Sequence, residues 1–318
     1  MSHELTTARR SGVSLVALAC VVLAGCGLEL KASPRGTPAP APSSIATPDA
    51  SESPQAIIER AIRHPAGAAI SACEVVDGAT AWSGLAGSID GVPVTSSTRW
   101  RTGSIGKTVT AAEVLRLVER GDLDLDEPAA PLVPPGLDTN GSTIRDLLRM
   151  RSGLDSDSPA GTTFAFRNGD YELLGHVIEG IEHRRLGDVL TTDILKVAGA
   201  DGLTFPAKGT VTNAAGPLDT DCPSLARWGE ALFGGRLLQP GSLSLMTRFT
   251  QGGYGMGVFD FSSDFGRRAY GHLGQDGRWA AGLVFFPDHV TTLVVLMNVP
   301  DPERPYRVLR DLALALEP

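Results

Sequence analysis

The sequence predicts an α/β (α+β) fold in which a sheet built from the two chain ends is covered by helices, with a helical lobe inserted between. Three observations predict it. Strand-like segments open the folded part at residues 68–84 and close it at residues 253–298. The middle, from 122 to about 249, carries helical pieces separated by Pro- and Gly-rich loops. From Pro54 onward no second linker, repeat or low-complexity stretch interrupts the chain, so both ends belong to one domain. With 318 residues, 42% hydrophobic and 20% charged, the chain can bury a full core and is too apolar to be disordered.

The elements follow in order. Arg9 and Arg10 precede an apolar run from Val13 to Ala24, which reads as a secretory signal over residues 1–25. The run is shorter than the ~20 apolar residues of a spanning helix. Its ending, Leu23-Ala24-Gly25-Cys26, resembles the bacterial lipobox, which makes Cys26 the lipidated first residue of the mature chain. Residues 26–55 are a Pro/Ala/Ser-rich tether that cannot form a core, and residues 56–318 are the folded domain. A short amphipathic helix is expected at 56–64, then a hairpin turning at Val76-Asp77-Gly78-Ala79. Residues 104–120 are a strong helix, with Val109, Ala112, Val114, Leu115 and Leu117 on its apolar face and Gly121 placed to end it. Further helical pieces fall at 144–149, 171–181 and 224–233. Strands are expected at 253–261, 268–273, 279–286 and 290–298, and a closing helix at 306–316.

A formal net charge of −8 repels phosphate backbones, so no nucleic-acid partner is expected. Four cysteines are too few for a disulfide scaffold or a zinc cluster. In an oxidising envelope Cys73 and Cys222 either pair or remain two buried thiols. His64, His176, His183 and His289 show no metal spacing, and neither a metal nor a cofactor is expected. The lysines are only Lys31, Lys107, Lys196 and Lys208, so a lysine with a chemical task stands out. Lys107 follows Ser104 by three residues at the start of the strong helix, which puts both side chains on one face of its first turn. Free N–H groups and the positive dipole end there favour an oxyanion and a lysine of depressed pKa. A neutral lysine so placed can take the serine proton.

Around that pair the chain resembles the serine β-lactamase and penicillin-binding-protein superfamily, most closely the class C-like branch with D-alanyl-D-alanine carboxypeptidases and related esterases. The likeness runs through Gly121-Asp-Leu-Asp-Leu-Asp-Glu-Pro128, the Ser152-Gly153-Leu154 turn, Phe166-Arg167-Asn168, the 226–238 helix and Tyr270-Gly-His-Leu-Gly274. It implies a β-lactamase/transpeptidase-like fold with an antiparallel sheet. It implies Ser104 as the acylated nucleophile, Lys107 as its base, Asn168 as a holder of Lys107 or the substrate amide, and His272 as the basic group of the third motif. Gly274 closes that motif and Gln275 follows it, and the Gln275 N–H joins that of Ser104 as an oxyanion donor. Two positions depart from the pattern. Phe166 stands where the resemblance expects a proton-shuttling tyrosine, and a phenyl ring neither donates nor accepts a proton. Leu273 replaces a hydroxyl residue that binds a substrate carboxylate or amide. Tyr171 is expected to pack as core, Trp100 and Trp279 either pack as core or stand as cleft aromatics, and Arg167 and Asp170 are either solvated loop charges or line the cleft.

The function implied is that of a serine hydrolase, lipid-anchored through Cys26 to the outer face of a bacterial cytoplasmic membrane. It would act as a monomer through a Ser104 acyl-enzyme on D-Ala-D-Ala peptides, β-lactams or small esters. Phe166 and Leu273 motivate an alternative: a catalytically impaired module that binds cell-wall peptide or an envelope partner.

Overall fold

The computed structural model describes residues 52–316, apart from Asp155 and residues 206–210. The expected signal, Cys26, nearly all of the tether, Lys31 and Lys208 lie outside the described residues. Helix α1 (Pro54–Ala61) starts on Ser53, whose Oγ accepts the Ala56 N–H, with Pro54 at the first helical position. Strands β1 (Ala69–Val76) and β2 (Ala79–Ile89) form the expected hairpin, and Asp77 and Gly78 both turn at positive φ. Strands β3 (Val92–Pro93) and β4 (Trp100–Arg101) follow.

A 3₁₀ turn, Gly103–Gly106, leads into helix α2 (Lys107–Arg120), which Gly121 ends at φ +78°. The inserted lobe begins with α3 (Ile144–Leu148), started by a reciprocal cap between Thr143 and Asp146. It continues with α4 (Asn168–Glu182), α5 (Leu186–Val189) running into a π-helical stretch at Leu190–Leu195, β5 (Asp219–Thr220), α6 (Cys222–Phe233) and α7 (Pro240–Met246). The chain then returns to the sheet through β6 (Phe259–Asp260), α8 (Ser262–Phe265), β7 (Tyr270–Asp276), β8 (Trp279–Phe286) and β9 (Thr291–Met297), and closes with α9 (Arg304–Leu316).

Seven strands form one antiparallel sheet in the order β3-β2-β1-β9-β8-β7-β6, while β4 pairs with β5 apart from it. The first hairpin joins the last one through β1 and β9, with Ile70 opposite Met297 and Val76 opposite Thr291. The period of two divides these strands between two cores. Cys73, Val75, Val294 and Leu296 face the core shared with α2, α4 and α6. Ile70, Ala72, Leu293 and Val295 face the opposite core, under α1 and α9. There Ile58, Leu309 and Leu312 are fully buried, each contributing about 2 kcal/mol by removal from water. Cys73 is bonded to Cys222, which ties β1 to the first turn of α6.

Two expectations need correction. The strand expected at 253–261 is reduced to Phe259–Asp260. Gly252, Gly253 and Gly257 adopt positive φ, which interrupts a ladder, and Gly255 passes so close to the end of α7 that a Cβ would lie 2.1 Å from Met246 O. The helix expected from Ser104 begins three residues later, with Ser104 in the 3₁₀ turn.

Candidate active site

The site forms where three distant backbones meet. Thr102 donates its N–H to Leu218 O at 2.9 Å and accepts the Leu218 N–H on Oγ1 at 3.0 Å, which joins the Ser104 turn to the loop before β5. On the other side the turn lies against β7. A Cβ on Gly103 would sit 2.4 Å from Gln275 N, and one on Gly274 would sit 1.9 Å from Thr102 O. Only glycine permits that approach, which sets Ser104 beside Gln275. A cleft of about 260 Å³ opens here, and Ser104, Asn168, Asn213, Gly216, Gln275 and Asp276 are among the residues lining it.

Lys107 lies beneath Ser104 and is fully buried. The 3₁₀ turn brings residues three apart nearly into line, and Lys107 Nζ stands 3.1 Å from Ser104 Oγ. It donates to Asn168 Oδ1 at 2.8 Å and to Ala215 O at 2.8 Å. The loop that presents Ala215 is fixed to α2, because Thr110 Oγ1 donates to Ala214 O at 2.8 Å. Burial lowers the Lys107 pKa to about 7, against the opposing pull of Glu172 and Asp170. The amide oxygen of Asn168 and the carbonyl of Ala215 can only accept, so two Lys107 protons are fixed. The third position, toward Ser104, holds a proton when the amine is charged and accepts the serine proton when it is neutral.

Phe166 and His272 sit beside this pair. Lys107 Nζ lies 4.9 Å from the centre of the Phe166 ring, and the Phe166 ring centre is 5.9 Å from that of His272. His272 is fully buried among Phe166, Tyr254 and Phe259 rather than on the cleft lining. Its Nδ1 donates to Leu273 O, which leaves the lone pair on Nε2, and Nε2 has no hydrogen-bond partner among the described residues. Burial, with the neighbouring Lys107, pushes the imidazole pKa down to about 3 and keeps the ring neutral. Leu273 points to the opposite face of the sheet, where a Cβ added to Gly282 would meet both Leu273 and Leu309.

Asp170 departs from the expected loop charge. It is buried, accepting the Ser152 hydroxyl at 2.6 Å, and so fastens the 152–154 turn to the start of α4. Tyr171 is core: its phenol donates to Leu148 O at 3.0 Å, and burial drives its pKa far up. Trp100 is buried edge-on against Trp279, and Arg167 is not among the cleft-lining residues. Sequence reasoning missed Ala215 O, Asn213 and the Arg101–Asp276 ion pair of 2.6 Å at the cleft rim. The Gly216-Pro217 step was the one local sign of a special loop there.

Among the described residues one acidic group has the spacing to hold a metal: Glu113, Glu182 and Asp193. Guanidiniums already face all three, with Arg116 3.6 Å from Glu113, Arg184 2.7 Å from Asp193, and Arg120 on Glu182.

A buried lysine bonded to a serine at the mouth of a cleft has the geometry of an activated nucleophile. The chain belongs to the beta-lactamase family, whose model matches residues 58–317, and its fold is that of the wider β-lactamase and penicillin-binding-protein group. Solved structures share the fold. A D-stereospecific amidohydrolase from Streptomyces sp. is 23% identical with a TM-score of 0.68, over 80% of this chain and 96% of its own. The D-amino acid amidase of Ochrobactrum anthropi SV3, complexed with L-phenylalanine amide, is 21% identical with a TM-score of 0.70, over 83% and 96%. An octameric penicillin-binding protein homologue from Pyrococcus abyssi is 20% identical with a TM-score of 0.69, over 79% and 74%.

Proposed function

We propose that this chain is a cell-envelope serine hydrolase of the penicillin-binding-protein and β-lactamase type, tethered through a lipidated Cys26. It acts through a Ser104 acyl-enzyme on D-Ala-D-Ala peptides, β-lactams or small esters. The observation that carries the reading is the 3.1 Å contact between Lys107 Nζ and Ser104 Oγ, with the other two Lys107 partners obligate acceptors. Lys107 takes the Ser104 proton as Oγ attacks the acyl carbon. The N–H groups of Ser104 and Gln275 hold the developing oxyanion, and Asn168 fixes the lysine. The amidase and amidohydrolase names among the structures of like fold support small amides as further substrates. The anchor rests on the sequence around Cys26 alone. Among the described residues no helix is long and apolar enough to cross a membrane.

The test is covalent labelling. A fluorophosphonate or fluorescent penicillin is expected to mark the folded protein on Ser104, seen by peptide mass spectrometry, and to leave Ser104→Ala unmarked. Equal labelling of the two proteins would sink the reading. The burial of His272 behind Phe166 favours a second reading, an impaired module that binds cell-wall peptide. Turnover of an activated ester that disappears in Ser104→Ala would argue against it.

A further inference from the structure

Ser104 Oγ, Asn168 Oδ1 and Ala215 O account for the three outward positions of the Lys107 amine, and aromatic rings stand between them. Lys107 Nζ lies 4.9 Å from the centre of the Phe166 ring and 5.8 Å from that of Tyr171. Tyr171 is fully buried and gives its phenol to Leu148 O, so that wall meets no solvent. His272, on the far side of the Phe166 ring, is fully buried too. Phe166 is only half-buried, so of these three it alone borders water. It is held in place by Phe259, stacked at 5.9 Å, and by Tyr254, edge-on at 6.2 Å. The other neighbours of the amine that reach solvent, Ser104 and Asn168, are its own hydrogen-bond partners.

From this arrangement we infer that Phe166 is a positioning residue: its ring keeps water off Lys107 and so holds the amine in the form that takes the Ser104 proton. The inference rests on the Ser104 acyl-enzyme reading and gives a task to the side chain that stands in the tyrosine's place. The ring acts on the amine in two opposed ways. Excluding water disfavours the ammonium, which loses hydration that three fixed acceptors only partly replace. The negative face of the ring favours the ammonium. Exclusion is the larger effect, since burial lowers Lys107 to about 7 against the pull of Glu172 and Asp170 on α4. The remaining titratable groups nearby are neutral at that pH. Burial holds His272 on β7 at about 3 and drives the phenols of Tyr171 and Tyr254 far up. An aliphatic side chain of similar size therefore keeps the amine dry without a π face, and a small one lets water in.

The test is the pH dependence of fluorophosphonate labelling of Ser104, from mild acid to about pH 10, in the whole protein and in Phe166→Leu, Phe166→Val and Phe166→Ala. The wild-type rate is expected to rise with a midpoint of about 7. Phe166→Ala is expected to move that midpoint up by about one pH unit or more. Its labelling then falls about 5-fold at neutral pH, while the alkaline plateau stays within about 3-fold of wild type. Phe166→Leu, which still covers the amine, keeps the midpoint within about 0.3 of a pH unit, and Phe166→Val falls between. A wild-type midpoint in both Phe166→Ala and Phe166→Val overturns the inference. So does a loss of rate that is equal at every pH, which is the mark of a merely structural role. A rise in Phe166→Leu as large as that in Phe166→Ala overturns it as well, because the ring face and not the cover would then be the cause. Far-ultraviolet circular dichroism shows which variants fold, and Phe166→Val decides the matter if Phe166→Ala does not. A wild-type protein that stays unlabelled, or is labelled at a rate independent of pH, overturns the Ser104–Lys107 reading itself rather than the role of Phe166.

Discussion

Lys107 has three N–H bonds to give when charged and three acceptors in reach: Ser104 Oγ, Asn168 Oδ1 and Ala215 O. In the proposed acylation the amine works neutral, so Ser104 acylation is expected to rise with pH through about 7, the value to which burial lowers Lys107, and to level above it. The rate of fluorophosphonate labelling between acid and mild alkali measures this, and a flat or falling profile would be inconsistent with a lysine base. Lys107→Ala is expected to slow labelling by about 10²–10⁴ while the far-ultraviolet circular dichroism stays native. At this scale the Ser104–Lys107 pair was legible in the sequence, since a spacing of three on a helical start has one geometric meaning. Ala215 O was not, because a backbone carbonyl leaves no trace in residue identity. The sealing of His272 was also illegible. It depends on Phe166 packing against Tyr254 and Phe259, which come from a segment nearly ninety residues further along the chain.

Helix α2 carries the lysine at its start and, two turns on, a buried acid. Glu113 is fully buried with neither carboxylate oxygen hydrogen-bonded among the described residues, and burial raises its pKa to about 7. Arg116 and Arg120 oppose that rise, while Glu182 and Asp193 add to it. The folded state therefore holds a proton that the unfolded chain releases near 4.5, and stability present below that value is lost as pH rises through about 7. Glu113→Gln keeps the shape and removes the ionisation. Its melting temperature is expected to gain on wild type between pH 5 and pH 8, by the equivalent of on the order of 2 kcal/mol. A gain of the same size at both pH values would show that the charge is not the cause. The elements themselves were legible where periodicity was clean, as in α2 and the β1–β2 hairpin. The 253–261 segment misled because its apolar residues alternate like a strand, while Gly252, Gly253 and Gly257 turn through positive φ.

Over the whole molecule, residues far apart in sequence hold one sheet together. The Cys73–Cys222 bond spans 149 residues and fastens the sheet to the helical lobe. Replacing both cysteines with serine is expected to lower unfolding free energy by about 2–4 kcal/mol, read as a melting point several degrees lower. Neither cysteine lines the cleft, so labelling of Ser104 at room temperature is expected to persist. Loss of labelling in a variant that is still folded would tie the bond to the site instead. The sheet from both ends was legible because strands cluster at the two ends of the folded part. The pairing of the cysteines was open, because adjacency of β1 and α6 is a property of the assembled layers and not of local sequence.

The close approach of Gly103 to Gln275 and of Gly274 to Thr102 has a consequence for the growing chain. The serine is encoded early and the strand that completes its surroundings comes about 170 residues later. Until that strand docks, the Gln275 N–H is missing from beside Ser104, and the proposed oxyanion position has lost one of its two donors. Reactivity toward an acyl probe therefore reports completed folding, and a chain cut short before Gly274 would carry Ser104 without that donor.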